Sequence, residues 1–145
     1  MGINTARTAI TAVLTADSTL TTLLTGGIYA VGVNNVREIS RQSTPDAFDA
    51  NGELLPCALV KLETAVPTGP HKRAARQFLV VYVYQRSGHS VINTALDRIV
   101  DLLDEVDVPA ANAWEIRWAD LVTDLPEDSL DASMGYVRFS LMVSL

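Results

Sequence analysis

Three side chains are the first candidates for catalysis or metal binding: the histidines His71 and His89, and the single cysteine, Cys57. An enzyme needs a nucleophile, a group that transfers protons and a group that polarises its substrate. Neither histidine has another histidine, a cysteine or a carboxylate at a metal-ligand spacing, and Cys57 has no recognisable base to activate it. The sequence therefore predicts no enzyme, no catalytic residue, no metal site and no cofactor.

Acidic side chains are concentrated in the second half of the chain. Eleven of the 17 acids lie between residues 97 and 131, where Arg98 and Arg117 are the only bases. Four of these acids form a candidate acidic surface or channel wall: Asp97, Asp101, Asp104 and Glu105. Helical carboxylates can bind a divalent metal, form a solvated face or supply a negative binding surface. Because no matching cluster occurs elsewhere, a solvated face is favoured over a metal site, and a binding surface stays an alternative.

Basic side chains are concentrated in the connection formed by residues 64–76. Four of them are candidate contacts with another subunit or with another protein of an assembly: His71, Lys72, Arg73 and Arg76. The acidic and basic segments could bind each other head to tail between identical subunits. Two unrelated solvated patches are equally consistent with the sequence, and a contact with DNA is a third interpretation.

The length and composition predict the class of protein. A chain of 145 residues is expected to form one domain over residues 1–145. The net charge of −6 argues against a general nucleic-acid binder, because nonspecific affinity for phosphates comes from cationic side chains. No apolar run approaches the ~18 to 20 residues that span a bilayer, and the start lacks the pattern of a signal peptide. We expect no membrane partner and folding in the cytoplasm.

Apolar periodicity predicts three helices. Steps of three and four residues place Ile10 and Leu14 on one stripe of a helix at about residues 3–16. Asp17 or Ser18 is the expected N-cap of a second short helix, which ends at Gly26 and Gly27. The third helix has the strongest pattern and begins at Ser90 as its expected N-cap. Its apolar stripe contains Ile92, Leu96, Ile99, Leu103 and Val106.

Alternating patterns predict five strands and one long loop. The strands fall at about residues 28–33, 57–64, 76–86, 114–118 and 137–143. Residues 37–56 show no sustained period, which indicates a loop, and a loop of this length inside a domain is usually functional or disordered. The element order is α-α-β-β-β-α-β-β. We therefore predict an α+β fold with a mostly antiparallel sheet and helices packed on one face.

The strand at residues 76–86 is apolar on both faces. Phe78, Val80, Tyr82 and Tyr84 alternate with a second apolar set, which is the candidate interface between subunits: Leu79, Val81 and Val83. A strand that is apolar on both sides belongs at the centre of a sheet covered on both sides. If the helices cover one side, a neighbouring subunit is the simplest cover for the other.

The arrangement of these segments resembles the tail terminator and tail completion proteins of long-tailed (siphovirus-like) bacteriophages, the family that includes the lambda tail terminator. The resemblance rests on four segments spread over nearly the whole chain: DSTLTTLLTGGIY at residues 17–29, LPCALVKLE at 55–63, the strand-helix unit from VVYVY at 80–84 to DLLD at 101–104, and YVRFSLMV at 136–143. The motifs are architectural. Residues 37–56 and the acidic stretch at 107–131 match no pattern of the family.

The resemblance implies a structural virion protein. Members form a homohexameric ring on the last ring of the tail tube protein, stop tube growth and present the surface that joins a head completion or connector protein. DNA would contact the ring only while passing through its channel, and an acidic wall would repel its phosphates. The expected location is the neck end of the virion tail, after assembly in the host cytoplasm. The alternative is a small-ligand-binding or regulatory α+β dimer of ferredoxin-like type.

Overall fold

The architecture is described by a computed structural model covering residues 3–68, 74–109 and 113–144. These ranges contain three α-helices and one five-stranded sheet. In chain order the elements are α1 (Ile3–Ala16), α2 (Ser18–Leu23), β1 (Ile28–Ala30), β2 (Cys57–Pro67), β3 (Ala74–Gln85), α3 (Ser90–Leu103), β4 (Ala113–Glu127) and β5 (Ala132–Ser144). The predicted α+β class and the element order α-α-β-β-β-α-β-β are confirmed.

The sheet has the strand order β1-β2-β3-β5-β4. β1 is parallel to β2, and the other neighbours are antiparallel. β4 and β5 form a long hairpin that reverses at the 3-10 turn Asp128–Leu130, after which Asp131 has the left-handed φ of 50°. Both strands extend beyond the predicted segments. Three register shifts in β4 interrupt the alternation of its side chains, so the pattern in the sequence ends earlier than the strand.

The helices pack on one face of the sheet, as predicted. α1 lies over β1 and β2, and α3 lies over β3, β4 and β5. The predicted stripes are buried in this core, including Ile10 and Leu14 of α1. Four residues of the predicted α3 stripe are also buried there: Ile92, Leu96, Ile99 and Leu103. Val106 lies beyond the end of α3 and is 36% exposed.

The N-termini of the two later helices are capped by different kinds of side chain. Asp17 caps α2 as predicted, because its Oδ2 accepts a hydrogen bond of 2.9 Å from the backbone N–H of Leu20. The prediction that Ser90 caps α3 is wrong. Gln85, at the end of β3, accepts hydrogen bonds at its Oε1 from the N–H groups of Val91 and Ile92 instead. The end of β3 thereby fixes the start of α3.

Asp17 also connects α2 to α3, which leads to a prediction about acid stability. Arg98 donates two hydrogen bonds to the Asp17 carboxylate, at 2.7 and 3.0 Å. The Arg98 hydrogen bond is the main cause that lowers the pKa of Asp17, aided by the Leu20 N–H and opposed by partial desolvation. Because this pKa is lower in the folded state, the carboxylate stabilises the fold above its unfolded-state pKa. That stabilisation is lost as the pH falls below about 4.

We therefore expect Asp17→Asn to lower the free energy of unfolding at neutral pH while keeping a cap oxygen. The difference from wild type should be constant at neutral pH and shrink as the pH falls from about 4 towards the lowered pKa. Urea unfolding across this pH range measures it. A difference that stays constant down to the acid limit would show that the Asp17 charge contributes nothing.

The candidate interface residues Leu79, Val81 and Val83 do not lie on a subunit surface. All three have zero exposure and point into the core between the sheet and the helices. The prediction that they contact a neighbouring subunit is therefore corrected: they are internal, because α3 covers their face. The alternate residues of β3 lie on the second face of the sheet, away from the helices: Arg76, Phe78, Val80, Tyr82 and Tyr84.

Residues 31–56 cover one end of the second face. Most of this segment is irregular, with the short 3-10 turn Pro45–Ala47 and a bridge between Phe48 and Leu54. Four of its apolar side chains are buried in a second cluster: Val36, Ile39, Ala47 and Leu54. They pack with Leu59, Tyr82 and Tyr84 of the sheet. The predicted loop at residues 37–56 is therefore anchored by the chain itself, and only the other end of the second face is exposed.

Candidate assembly surface

The exposed end of the second face is the first candidate surface, which we call the open face. It consists of three rows of register partners that run across β2, β3, β5 and β4. The first row contains Val66, Arg76, Met142 and Trp114; the second contains Phe78, Ser140 and Arg117; the third contains Lys61, Val80, Arg138 and Asp120. Residues from four strands therefore meet on one surface.

The third row of the open face is held by an ion-pair network. Arg138 donates hydrogen bonds from its Nε to Glu63 and from its Nη1 to Asp120, each at 2.7 Å. The hydrogen bond to Glu63, followed by the one to Asp120, raises the pKa of Arg138 despite its desolvation. Beside this network Val80 has zero exposure. The network ties β2, β5 and β4 together and leaves Arg138 without free charge to offer a partner.

The open face combines exposed apolar side chains of its first row with cations of all three rows. Val66 is 46% exposed and Trp114 is 37% exposed, which is unusual for large apolar residues. Lys61, Arg76 and Arg117 are exposed, and none of them pairs with a carboxylate of the described residues. Within the described ranges, the hydrogen-bond partner of the Arg76 side chain is the hydroxyl of Ser140, at 3.4 Å. Exposed apolar side chains interspersed with unpaired charges are typical of a protein-binding surface.

A second candidate surface lies on the opposite side of the sheet, at α3 and the segment that follows it. Asp97, Asp101, Glu105 and Asp107 are exposed there, and we call this region the acidic surface. Its only nearby base on α3 is Arg98, whose guanidinium is bound by Asp17. No base of the described residues pairs with these four acids.

Two hydrogen bonds attach the acidic surface to the edge strand β4. Asp104 accepts the backbone N–H of Trp118 at its Oδ1, at 2.8 Å, and the N–H of Glu105 donates to the carbonyl of Ile116 at 2.9 Å. Trp118 is the register partner of Phe139, so it lies on the helix side of β4, whereas Trp114 lies on the open face. Trp118 is 51% exposed beside Asp104. Val106 is 36% exposed and lies in the sequence between Glu105 and Asp107. The acidic surface therefore also contains two exposed apolar side chains.

The structure brings together some of the predicted site residues. Of the four predicted basic contact residues, Arg76 lies on the open face, and the other three lie outside the described residues: His71, Lys72 and Arg73. Asp97, Asp101 and Glu105 share the acidic surface, whereas Asp104 is half-buried and bonded to β4. Sequence reasoning missed several residues of the two surfaces: Lys61, Val66, Trp114, Arg117 and Trp118. The alternation of Trp114 to Trp118 was a signal, but it did not reveal which face each residue takes.

Of the side chains considered for catalysis, Cys57 and His89 belong to the described residues, and His71 lies outside them. Cys57 is buried, and desolvation raises the pKa of its thiol to about 12, so it is protonated and unreactive at neutral pH. His89 precedes the first residue of α3, and its Nδ1 atom lies 3.8 Å from a carboxylate oxygen of Asp124 on β4. Among the described residues, no group of three or more His, Cys, Asp or Glu side chains could hold a metal ion. The helices of the described ranges are too short or too polar to cross a membrane.

The fold is similar to that of a virion protein. One similar chain belongs to the virion of a native gene transfer agent particle, with a TM-score of 0.69 and 14% sequence identity. The match covers 97% of this chain and 95% of that chain. No protein-family model matches the sequence, and no curated protein matches it. At this identity the likeness establishes a shared fold over almost the full length of both chains.

Proposed function

We propose that this protein is a non-catalytic structural component of a phage-like virion. The single observation that carries the proposal is the fold shared with a chain of the gene transfer agent virion over 97% of the residues. The resemblance of its segments to tail terminator and tail completion proteins supports the same class. The finer proposal is a homohexameric ring that caps the tail tube, stops its growth and joins the tail to the head.

The two surfaces support assembly from repeated copies. The open face and the acidic surface lie on opposite sides of the sheet, and each combines exposed apolar side chains with unpaired charge. A contact between two different surfaces repeats from subunit to subunit and closes into a ring when the rotation permits. The proposed partners are further copies of the chain, the tail tube protein and a head completion or connector protein. The proposed location is the neck end of the tail.

Assembly on tail tubes is the expected result that tests this function. We expect sedimentation of the purified full chain to reveal a ring-sized species, either at high concentration or after addition of tail tubes. Negative-stain images should then show density at one end of each tube. A protein that remains monomeric in both conditions would contradict the proposal. A chain that forms no species larger than a dimer and does not bind the tubes would favour the ligand-binding or regulatory alternative.

Arrest of tube growth is a separate readout of the capping role. Tail tube protein that polymerises with the purified chain is expected to give shorter tubes, and their mean length should fall as the chain is added. The matched control is heat-unfolded chain at the same concentration. Tubes of unchanged length, with the chain bound along their sides, would contradict capping.

A further inference from the structure

We infer that the open face of one copy binds the acidic surface of the next copy. This inference rests on the ring assembly proposed above and identifies the two halves of its repeated contact. The occupant of the open face is therefore α3 and its following segment from a second copy of this chain. The acidic surface of each copy binds the open face of a neighbouring copy.

Exposed apolar residues indicate these two surfaces. The large apolar side chains that remain substantially exposed in the described ranges divide equally between the surfaces. Val66 and Trp114 lie on the open face, and Val106 and Trp118 lie on or beside the acidic surface. Burial of tryptophan is a frequent source of affinity at protein interfaces. Contact between the two surfaces removes all four side chains from water.

The charges of the two surfaces are complementary. Lys61, Arg76 and Arg117 lie among the apolar side chains of the open face, and none of them has a carboxylate partner among the described residues. Asp97, Asp101, Glu105 and Asp107 give the other surface the opposite sign. Complementary charges of this kind orient two partners and oppose incorrect pairings. An acidic segment of a second copy therefore complements the cations of the open face.

The separation of the surfaces favours a repeating contact over a closed dimer. A two-fold dimer through the open face would place Lys61, Arg76 and Arg117 against the same residues of the other copy. A two-fold dimer through the acidic surface would oppose carboxylates in the same way. Like charges in direct contact cost binding energy, whereas a head-to-tail contact pairs opposite signs at every interface.

Charge reversal with rescue is the experiment that tests the inference. Variant A carries Lys61→Glu, Arg76→Glu and Arg117→Glu, and variant B carries Asp97→Lys, Asp101→Lys and Glu105→Lys. Each variant alone should associate at least about tenfold more weakly than wild type at low salt, because every interface opposes like charges. An equal mixture should recover association, because A and B alternate with complementary contacts. Analytical ultracentrifugation measures all four samples, and circular dichroism checks that A and B are folded.

Several outcomes would overturn the inference. Variants A and B that assemble as wild type would exclude both surfaces from the contact, and so would a mixture no stronger than either variant. Normal assembly of A with loss of DNA binding by the intact ring would assign the open face to DNA. The control Arg37→Glu reverses an exposed charge away from both surfaces and should assemble normally. A wild-type chain that never assembles would instead contradict the proposed function itself.

Discussion

Phe139→Ala is expected to destabilise the subunit by about 3–5 kcal/mol, the usual range for removal of a fully buried aromatic ring. Phe139 has zero exposure and is among the largest fully buried side chains of the core. Its removal leaves a cavity between β5 and α3 that neighbouring side chains cannot fill completely. Urea unfolding monitored by circular dichroism measures the loss.

Phe78→Ala is the matched control on the opposite face. Phe78 lies on β3 opposite Ser140, one residue from the partner of Phe139, but it points to the open face and is half-buried. It should therefore cost no more than about half as much free energy of unfolding, in proportion to the apolar area already buried. Self-association should weaken more for Phe78→Ala than for the folded fraction of Phe139→Ala. Equal costs of unfolding would contradict the assignment of the two faces.

This pair of phenylalanines shows what the pattern of β3 could predict. The alternating apolar residues predicted a central strand covered on both sides. In the structure β3 is at the middle of the sheet, but only part of its second face is covered. Alternation does not identify which face the helices cover, because shifting by one residue exchanges the two faces. Leu79, Val81 and Val83 were therefore named as the candidate subunit interface, although they are the internal set.

The periodicity of the sequence could not predict that residues 31–56 cover part of the second face. Val36, Ile39, Ala47 and Leu54 are spaced irregularly, and their segment has little regular secondary structure. Such anchors are determined by contacts with strands that lie far away in the sequence. The loop was predicted at residues 37–56, whereas the segment between β1 and β2 begins at residue 31, and its burial against Tyr82 and Tyr84 depends on the tertiary fold.

The two surfaces were predictable to different degrees. The acidic surface follows from one helix, so Asp97 and Asp101 were found from their local spacing. The open face takes Lys61, Arg76 and Arg117 from three strands, and only the strand order and register bring them together. Sequence reasoning selected Arg76 together with bases that are its neighbours in the chain, and it missed Lys61 and Arg117. The residues of a surface formed by several strands cannot be identified until the register of those strands is known.

Gly135→Ala is expected to destabilise the protein although it adds only one methyl group. An added Cβ would lie 2.9 Å from Cγ2 of Ile92, 3.0 Å from the carbonyl oxygen of Val122 and 3.1 Å from Cδ1 of Leu96. Gly135 lies on the core face of β5, so this crowding pushes α3 away from the sheet. The expected cost is about 1–3 kcal/mol, the usual penalty for overpacking a core. Elsewhere, Gly→Ala at a compatible backbone stabilises by about 0.4–1 kcal/mol through the unfolded state.

A double-mutant cycle with Ile92→Ala tests this cause. Removing the Ile92 side chain eliminates the nearest contact, so Gly135→Ala should cost less in that background than in wild type. Urea unfolding of the four proteins measures the coupling, and Gly135→Ala alone with unchanged or increased stability would contradict it. Displacement of α3 by the added methyl group should also weaken self-association, because Asp97 and Asp101 lie on this helix. If the close approach at Gly135 positions the acidic surface, folded Gly135→Ala should associate more weakly than wild type, with every surface charge still present.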